Sequence, residues 1–487
     1  MRETIDGKND ITIKPLQLIS IIVIIQLVIA FFTEPMIFTH EEAMWQYIGR
    51  NWLRNGLVPY SGGVDNKSPL IFLIFGISDR LFGVNFWFPR LLGIVVQSAG
   101  IFLLYKIARN TIGHRAGLFA ISFYGLALAW RTTGGKYVSF TETYAITFIL
   151  GAIYLCTDIE NERNVFCGGI LAGLGLGFRL SAVFGILPLL IYIFSRSRKS
   201  GFIFISGILS AAGFLILSCL LAGIHLNDYL FYGFADNFGS GSPTGHSLAW
   251  EAQGFADGFF YSELILFYPA VVAYFFVKRE MDFLKGWLMS EFFGIVILGI
   301  YARNHFKELL PAMSLMAAFV TDRLIENDRI APRQFLLGIW ILFFPKSFEP
   351  LFAIKKFLLP GNPSSVKNKS VAYDDENKKK DIGLWIRNNT DMNERVFVAG
   401  YGAQIQAYSE RESPSIYFNV TQTEFAKKKL FADLVAYKPA MVVIPLSDTY
   451  AGFVDQDIRS HIHGLISDNY ILDTCLYQYN IYRYRHP

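Results

Sequence analysis

The chain has 487 residues, of which 53% are hydrophobic and 17% are charged, and its mean hydropathy is +0.35. This composition excludes an ordinary water-soluble protein, because apolar stretches of about 20 residues, long enough to cross a bilayer, recur along the sequence. A formal charge of +4, carried by scattered Lys and Arg residues, does not indicate nucleic-acid binding, and the four cysteines lack metal-site or disulfide spacing.

Apolar segments predict a polytopic α-helical membrane protein with about 11 transmembrane helices. If successive segments cross the membrane in alternating directions, the loops on one side are rich in Lys and Arg. Such a bias marks the cytoplasmic face. The loop 224–258 falls on the other side and contains neither residue. The predicted spans are 15–33, 86–105, 116–131, 140–156, 165–178, 180–195, 201–223, 259–277, 284–302, 305–320 and 334–350.

The segment 165–195 admits two interpretations, one long helix or a hairpin that turns at Arg179. The hairpin keeps the basic cluster Arg196–Lys199 on the cytoplasmic side, whereas a single helix would invert everything downstream. We therefore predict the hairpin. The glycine-rich run Gly168–Gly177 lies inside an apolar span, where small residues serve helix packing rather than phosphate binding.

The composition becomes polar after residue 350, which predicts a transmembrane domain at 1–350, a linker at 351–380 and a small α/β domain at 381–487. An odd number of spans places this last domain outside the cytoplasm. Its pattern predicts two helices, two strands and an edge strand, namely Asp381–Asn389, Phe425–Tyr437, Val396–Ala399, Met441–Pro445 and Cys475–Tyr484.

The loop after the first span carries a carboxylate pair, Glu41 and Glu42, and then a lysine, Lys67. One carboxylate suits a general base, its neighbour adjusts the pKa of the first, and the lysine suits a phosphate contact. Simpler interpretations stay open. The acids also fit a helix start with Thr39 as its cap, and a lysine at a membrane interface often extends to the headgroups.

Further charged residues fall on the same predicted outer face: Arg90, Glu142, Arg179, Arg303 and His305. An arginine among apolar residues needs an anionic partner, which is either a substrate phosphate or an internal carboxylate. Three basic residues at the start of the tenth span, Arg303, His305 and Lys307, favour anion binding. The single charges at span ends either pair with one another or contact sugar hydroxyls.

The first loop resembles the polytopic lipid-linked-sugar glycosyltransferases of the GT-C class, in particular bacterial proteins related to protein O-mannosyltransferases and to the lipid A aminoarabinose transferase. The resemblance covers about residues 15–350 and is most specific in this loop. The residues that carry it are Glu41-Glu42-Ala43, Gly49-Arg50, Gly56, Pro59-Tyr60, Asp65-Asn66-Lys67-Ser68-Pro69, Phe82-Gly83 and Arg90-Leu91, with weaker matches at Thr141-Glu142-Thr143, Gly173–Arg179 and His305-Phe306.

The resemblance implies a GT-C fold in the plasma (inner) membrane and inverting transfer of a sugar from a polyprenyl-phosphate donor to a lipid, glycan or protein acceptor outside the cytoplasm. Glu41 or Glu42 is then the general base, and Lys67 and Arg179 bind the donor phosphate. Arg303 and His305 are expected to support that binding, and Asp65, Arg90, Glu142 and Tyr60 to support the substrates.

The loop departs from the family pattern at three positions. Glu41 replaces an aspartate, which leaves the choice of base between the two glutamates open. Ser68 replaces a proline, and Asn66 replaces an acid that binds metal in some relatives. We therefore predict no metal or other cofactor, although the sequence does not exclude a divalent cation. The rival functions are a non-enzymatic lipid-carrier transporter or scaffold, and an oligosaccharide ligase.

Overall fold

The computed structural model describes most of the chain and divides it into two compact units. The described residues are 13–33, 37–130, 137–235, 248–277, 282–298, 301, 303–328, 332–348, 367–419, 423–446 and 456–485. The first unit comprises Met1–Glu34, Arg90–Leu215 and His246–Pro360, and the second comprises Pro35–Pro89, Ile216–Gly245 and Gly361–Pro487. The second unit thus groups the first loop with the C-terminal segment, while the sequence-based division at 350 and 380 stays a prediction.

Helices dominate the described part of the chain. In chain order they are α1 Pro15–Val28, α2 His40–Asn55, α3 Pro69–Phe82, α4 Trp87–Thr111, α5 His114–Ala127, α6 Thr141–Leu155, α7 Glu162–Phe178, α8 Val183–Arg196, α9 Arg198–Leu221, α10 Leu226–Leu230, α11 Leu248–Phe259, α12 Tyr268–Phe276, α13 Asp282–Leu298, α14 Leu310–Asp328, α15 Pro332–Phe348, α16 Lys367–Asn388, α17 Ala403–Ser409, α18 Glu424–Tyr437 and α19 Gln456–Asn469.

Within the described residues, two helices are long and apolar enough to cross a bilayer, α4 with 25 residues and α9 with 24 residues. The segments Ala252–Phe259 and Glu263–Phe276 meet at a 48° bend and form a third candidate if they act as one span. Shorter apolar helices cover Pro15–Phe31, Thr141–Leu155 and Leu180–Arg196. For the described residues, length and composition therefore support two or three spans, and the number eleven stays a prediction.

The segment 165–195 is not one continuous helix. Helix α7 ends at Phe178, and Arg179 adopts an extended backbone with φ −156° and ψ 121°. A short 3-10 turn, Leu180–Ala182, then leads into α8. An unbroken helix is excluded, as the hairpin interpretation requires, and the orientation of these helices across a membrane stays a prediction.

Glycines allow α7 and α9 to pack closely. A Cβ added to Gly169 would lie 2.1 Å from the carbonyl oxygen of Phe204, and one added to Gly207 would lie 2.3 Å from that of Phe166. Because both obstacles are backbone atoms, any larger side chain would push the helices apart. The predicted packing role of the glycine-rich run in α7 is confirmed.

The second unit begins with α2 and α3, which also cross at glycines. A Cβ on Gly49 would lie 2.4 Å from the carbonyl oxygen of Phe72 and 2.5 Å from the backbone nitrogen of Gly76. Nearby, the side-chain amide of Gln46 donates to the buried carboxylate of Asp79 at 2.7 Å. Helix α3 was not predicted, because its apolar run is only 14 residues long and begins with a proline. This crossing fixes the two ends of the first loop against each other.

The C-terminal segment contains four strands within the described residues, in the order β1-β2-β4-β3. Strand β1, Val396–Val398, runs parallel to β2, Met441–Pro445, and β4 is antiparallel to both of its neighbours. The strands predicted at 396–399 and 441–445 are confirmed. The prediction of one edge strand at 475–484 is wrong, because β3, Tyr470–Leu476, and β4, Tyr479–Tyr484, form a hairpin with β4 inside the sheet.

The helix predicted at Asp381–Asn389 is the end of the 22-residue helix α16, which begins at Lys367. The predicted linker 351–380 is therefore helical from that residue onward, and its residues 351–366 lie outside the described part of the chain. The helix predicted at Phe425–Tyr437 is confirmed as α18. Helices α17 and α19 were not predicted, since neither shows a clear apolar period.

Candidate active site

The carboxylate pair opens α2, as the helix-start interpretation predicts for this sequence. Thr39 is the N-cap, and its hydroxyl accepts a hydrogen bond from the backbone nitrogen of Glu42 at 3.3 Å. In return, the Glu42 carboxylate accepts from the backbone nitrogen of Thr39 at 2.9 Å. This reciprocal arrangement is a capping box. Glu42 is fully buried and stabilises the helix start, which accounts for an acid at this position without catalysis.

Glu41 occupies a different environment, although it is the adjacent residue. Its side chain is exposed to solvent. The protein atoms around it nevertheless exclude enough water to raise the pKa of the Glu41 carboxyl above its ordinary value, while the positive charge of Lys67 opposes this rise. The carboxylates of Asp65 and Glu42 add smaller increases. A reachable carboxylate with a raised pKa is suited to accept a proton.

Residues of the C-terminal segment also lie at the start of α2. Burial and the nearby Glu41 charge both raise the pKa of Tyr401. The ring of His40 meets that of Tyr401 edge-on at 4.9 Å, and the amide of Asn419 lies 3.0 Å from Nε2 of His40. Burial, aided by Lys379, lowers the pKa of His40 to about 4, so its imidazole is neutral at pH 7.

Lys67 ends the connection between α2 and α3, and its backbone is held in place. The phenol of Tyr60 donates to the carbonyl oxygen of Lys67 at 2.7 Å. The indole nitrogen of Trp45, on α2, donates to the carboxylate of Asp65 at 2.8 Å. The Lys67 ammonium is half-buried and donates to the side chain of Asn66. Tyr60 and Asp65 therefore support the loop, and their role towards the substrates stays a prediction.

Arg179 is enclosed by two carboxylates of the first unit. Its Nη1 lies 2.5 Å from Oε1 of Glu142, and its Nε lies 2.7 Å from Oε1 of Glu308. All three side chains are buried. This is the internal ion pair that the sequence left open as an alternative to phosphate binding. Glu308 was not predicted, although an acid close to His305 in a buried turn was the available signal for it.

Further polar residues surround Glu142. The amide of Asn304 donates to Oε1 of Glu142 at 2.6 Å, and Nε2 of His305 lies 3.8 Å from the same oxygen. Lys307 is buried and donates to the hydroxyl of Thr143 at 2.6 Å. His305 thus lies beside Glu142, and its phosphate contact stays a prediction. These residues form a buried network that fixes α6, the turn Arg303–Leu309 and the start of α8.

The remaining predicted residues are Arg90 and Arg303. Arg90 lies in the first turn of α4, is buried, and donates from Nη1 to the carbonyl oxygen of Ala30 at 3.2 Å. Such a contact satisfies the carbonyl groups at the end of a helix and gives Arg90 a structural role in the first unit. Arg303 begins the 3-10 turn before α14, and its side chain is not among the described residues.

The predicted site residues therefore divide between the two units. Lys67, Asp65, Tyr60 and the carboxylate pair are described together in the second unit. Those in the first unit are Arg90, Glu142, Arg179, Arg303 and His305. The charges of the residues in the first unit are largely neutralised by one another. The residues in the second unit present an exposed carboxylate and a nearby ammonium.

The chain is similar to known proteins in part of its sequence and in its fold. Residues 66–223 match the family described as dolichyl-phosphate-mannose-protein mannosyltransferase. That range includes Lys67, Arg90, Glu142 and Arg179 but not the carboxylate pair. No curated protein matches the sequence.

Solved structures share the fold at low sequence identity. The chain is similar to ArnT from Cupriavidus metallidurans bound to undecaprenyl phosphate, with a TM-score of 0.61 and 13% identity over 96% of this chain and 97% of that chain. ArnT from the same organism in the apo state gives a TM-score of 0.63 and 14% identity over 96% and 98%. The archaeal oligosaccharyltransferase AglB from Archaeoglobus fulgidus, in complex with an inhibitory peptide and a dolichol-phosphate, gives 0.55 and 11% over 89% and 69%.

The resemblance to the GT-C class that the first loop indicates is confirmed by these matches. At such identities the solved structures demonstrate the fold, which is mostly helical with a small C-terminal sheet. The sugar, the acceptor and the roles of individual residues are separate questions.

Proposed function

We propose that this chain is a membrane glycosyltransferase that moves a sugar from a polyprenyl-phosphate donor to an acceptor outside the cytoplasm. The shared fold supports the class of reaction, since one similar ArnT structure holds undecaprenyl phosphate and the AglB structure holds a dolichol-phosphate. The observation that carries the proposal is local: an exposed carboxylate, Glu41, lies close enough to Lys67 for the ammonium to lower its pKa. A base beside a cation is what transfer from a lipid phosphate needs.

The proposed reaction is a single displacement. The Glu41 carboxylate removes the proton from a hydroxyl or amine of the acceptor, and the acceptor atom then attacks the anomeric carbon. The bond between that carbon and the phosphate oxygen breaks, and its electron pair leaves with the polyprenyl phosphate. Lys67 stabilises the charge that grows on the leaving phosphate. Attack from the face opposite the phosphate inverts the anomeric configuration.

Glu41 is preferred to Glu42 as the base because only Glu41 is reachable by an acceptor. Glu42 is 0% exposed, and its carboxylate accepts a hydrogen bond from the backbone of Thr39. Moving it toward a substrate would leave a buried helix start without its cap, at a cost of about 1 kcal/mol. We assign Glu42 to positioning: it holds the first turn of α2 from which Glu41 projects.

Two different roles are open for Arg179. The resemblance implies a phosphate contact for it, whereas its contacts to Glu142 and Glu308 describe an internal ion pair. Lys67 is therefore the first cation to test as the phosphate ligand. Substituting Arg179 together with Glu308 separates the effect of Arg179 on sugar transfer from its effect on folding.

The test measures polyprenyl phosphate released from a panel of polyprenyl-phosphate hexoses and pentoses by the full chain in membranes. Glu41→Gln is expected to reduce release by at least about 100-fold, since general bases contribute about 10²–10⁴-fold. Glu42→Gln is expected to lower folded yield but to retain turnover per folded molecule. Full activity of Glu41→Gln would overturn the mechanism.

The rival functions give different results in the same experiment. A lipid-carrier transporter or scaffold binds polyprenyl phosphate sugars without releasing phosphate, and its binding is insensitive to Glu41→Gln. An oligosaccharide ligase that depends on a metal loses activity when a chelator is added, whereas the proposed monosaccharide transferase does not. The anomeric configuration of the product, determined by NMR spectroscopy, tests inversion directly.

A further inference from the structure

A cleft in the second unit is lined by none of the proposed acid–base residues. Its volume is about 530 Å³, within the range of small-ligand sites. One side is the connection Phe82–Trp87 between α3 and α4, and the other side comes from α16 and α17. The charged lining residues are Arg54, Lys380, Arg387 and Glu410.

The charges of this lining do not cancel. Three cations accompany one carboxylate, which leaves a formal charge of +2. Arg387 lies 2.5 Å from Glu410, and Arg54 lies 2.5 Å from the buried Asp79. Glu410 also pairs with Arg50. Including the partners Arg50 and Asp79 adds one positive and one negative charge, so the formal charge remains +2.

Lys380 and Arg387 both lie on α16, Lys380 one turn before Leu384. The Lys380 ammonium lies 5.8 Å from the ring centre of Tyr408, and its side chain is half-buried. The guanidinium of Arg387 keeps about half of its surface exposed while it pairs with Glu410. Both groups are therefore able to contact an added anion without first losing a buried partner.

Exposed aromatic rings lie at the edge of the cleft. Phe82 is 48% exposed and Trp87 is 39% exposed, and their ring centres are 4.7 Å apart. Trp87 is also the first residue of α4, a helix long and apolar enough to cross a bilayer. Tryptophan is enriched where membrane spans meet the headgroup region. The cleft therefore opens where an apolar span begins.

We propose that this cleft binds the phosphate-bearing headgroup of an anionic membrane lipid. Lys380 and Arg387 contact the phosphate, which Arg recognises with a planar fork and Lys as a point charge. Phe82 and Trp87 contact the apolar part of the same lipid. Basic residues at a membrane surface attract anionic lipids by about 1 kcal/mol each. The site is additional to the donor site of the proposed transferase and does not depend on catalysis.

The experiment uses the purified full chain in a neutral detergent, with phosphatidylglycerol as the probe and phosphatidylcholine as the uncharged comparison. Binding is measured by native mass spectrometry across a lipid titration. Phosphatidylglycerol is expected to bind more tightly than phosphatidylcholine. Lys380→Ala and Arg387→Ala are each expected to weaken its binding about fivefold, the loss of one surface cation.

The matched control is Lys378→Ala, which removes the same charge from the same helix outside the cleft. It is expected to leave phosphatidylglycerol affinity unchanged, and an equal loss would show attraction by general charge and overturn the site. Thermal unfolding identifies any variant that fails to fold, and the conservative variant Arg387→Lys is expected to retain most of the affinity.

Two further arms complete the test. Soluble glycerol phosphate is expected to compete weakly, because it lacks the apolar part that meets Trp87, and competition equal to that of the lipid would overturn the lipid assignment. Glu41→Gln is expected to bind phosphatidylglycerol like the unaltered chain. Glu41→Gln therefore tests the transferase proposal, whereas Lys380→Ala and Arg387→Ala test the lipid site.

Discussion

The phenol of Tyr60 donates a 2.7 Å hydrogen bond to the backbone carbonyl of Lys67. Tyr60 is 1% exposed and has a φ of 71°, in the left-handed region that residues other than glycine rarely adopt. Such a conformation persists only where neighbouring contacts hold it. Ring contacts with Phe72 and Tyr229 and the bond to Lys67 supply those contacts. The position of the proposed phosphate ligand therefore depends on a buried tyrosine seven residues earlier.

Tyr60→Phe is expected to lower both stability and transfer. The change keeps the ring but leaves the Lys67 carbonyl without its donor, which costs about 1 kcal/mol of folding free energy. Because Lys67 is then held less firmly, release of polyprenyl phosphate is expected to fall about tenfold. Thermal unfolding and the release assay on the same preparation measure the two effects.

The control for this change is Tyr470→Phe. The Tyr470 hydroxyl donates to the carbonyl of Pro439 at 2.8 Å, so the variant removes a bond of the same kind from the C-terminal sheet. It is expected to lose similar stability and to keep its transfer rate. Equal loss of transfer in both variants would show that Tyr60 acts through stability alone.

The pH dependence of transfer is expected to report Glu41. Its carboxylate must be deprotonated to act as base, and the protein atoms that exclude water around it raise its pKa above the ordinary value. The rate is therefore expected to fall as the pH drops through that raised pKa. Since Lys67 lowers the pKa of Glu41, Lys67→Gln should move the acid limb of the profile to higher pH, in addition to lowering the rate.

The conservative variant Lys67→Arg separates charge from structure. It keeps the positive charge and is expected to return the acid limb to its original position, whatever its effect on the maximum rate. An acid limb that is the same in all three proteins would mean that Glu41 is not the titrating base.

Arg179→Gln is expected to be strongly destabilising. It leaves the buried carboxylates of Glu142 and Glu308 without their shared cation, and breaking a buried pair in this way costs about 3–5 kcal/mol. Folded yield after detergent extraction and thermal unfolding measure the loss. The double variant Arg179→Gln with Glu308→Gln removes one uncompensated charge and is expected to recover much of the stability.

The double variant then decides what Arg179 does in transfer. If its charge also serves the donor phosphate, the recovered protein stays at least about tenfold less active than the original. If it transfers sugar at the original rate, Arg179 is structural and its predicted phosphate role is wrong.

Gly49→Ala is expected to disrupt the crossing of α2 and α3. The added methyl group would meet the carbonyl oxygen of Phe72 at 2.4 Å, and a backbone atom cannot move aside without separating the helices. We expect a loss of about 3 kcal/mol and a fall in transfer, since the loop between these helices carries Lys67. Thermal unfolding and polyprenyl phosphate release are the measurements.

The matching control is Gly464→Ala on the exposed face of α19, where an added Cβ meets nothing within 4 Å. Helix propensity favours alanine by about 1 kcal/mol, so this variant is expected to be as stable as the original or more so. A Gly49→Ala protein of unchanged stability would contradict the close approach of α2 and α3.

Much of this protein is readable from local sequence pattern. Long apolar runs give α4 and α9, a short unbroken apolar run gives β2, and the acids after Thr39 give a capped helix start, because each depends on neighbours in the chain. The first loop also carries enough motif to indicate the GT-C class. Local pattern does not predict the position of β4 in the sheet. Alternation of apolar and polar residues does not distinguish an edge strand from a strand that is paired on both sides.

The sequence by itself determined that the chain is apolar, largely helical and similar to lipid-linked-sugar transferases, and it singled out Glu41, Glu42, Lys67 and Arg179. Only the tertiary structure decided which of the two glutamates is exposed and which caps a helix. It also gave Arg179 its partner Glu308, which is distant in the sequence. The reason is physical: burial and charge pairing depend on which distant segments meet, and spacing along a chain does not record that.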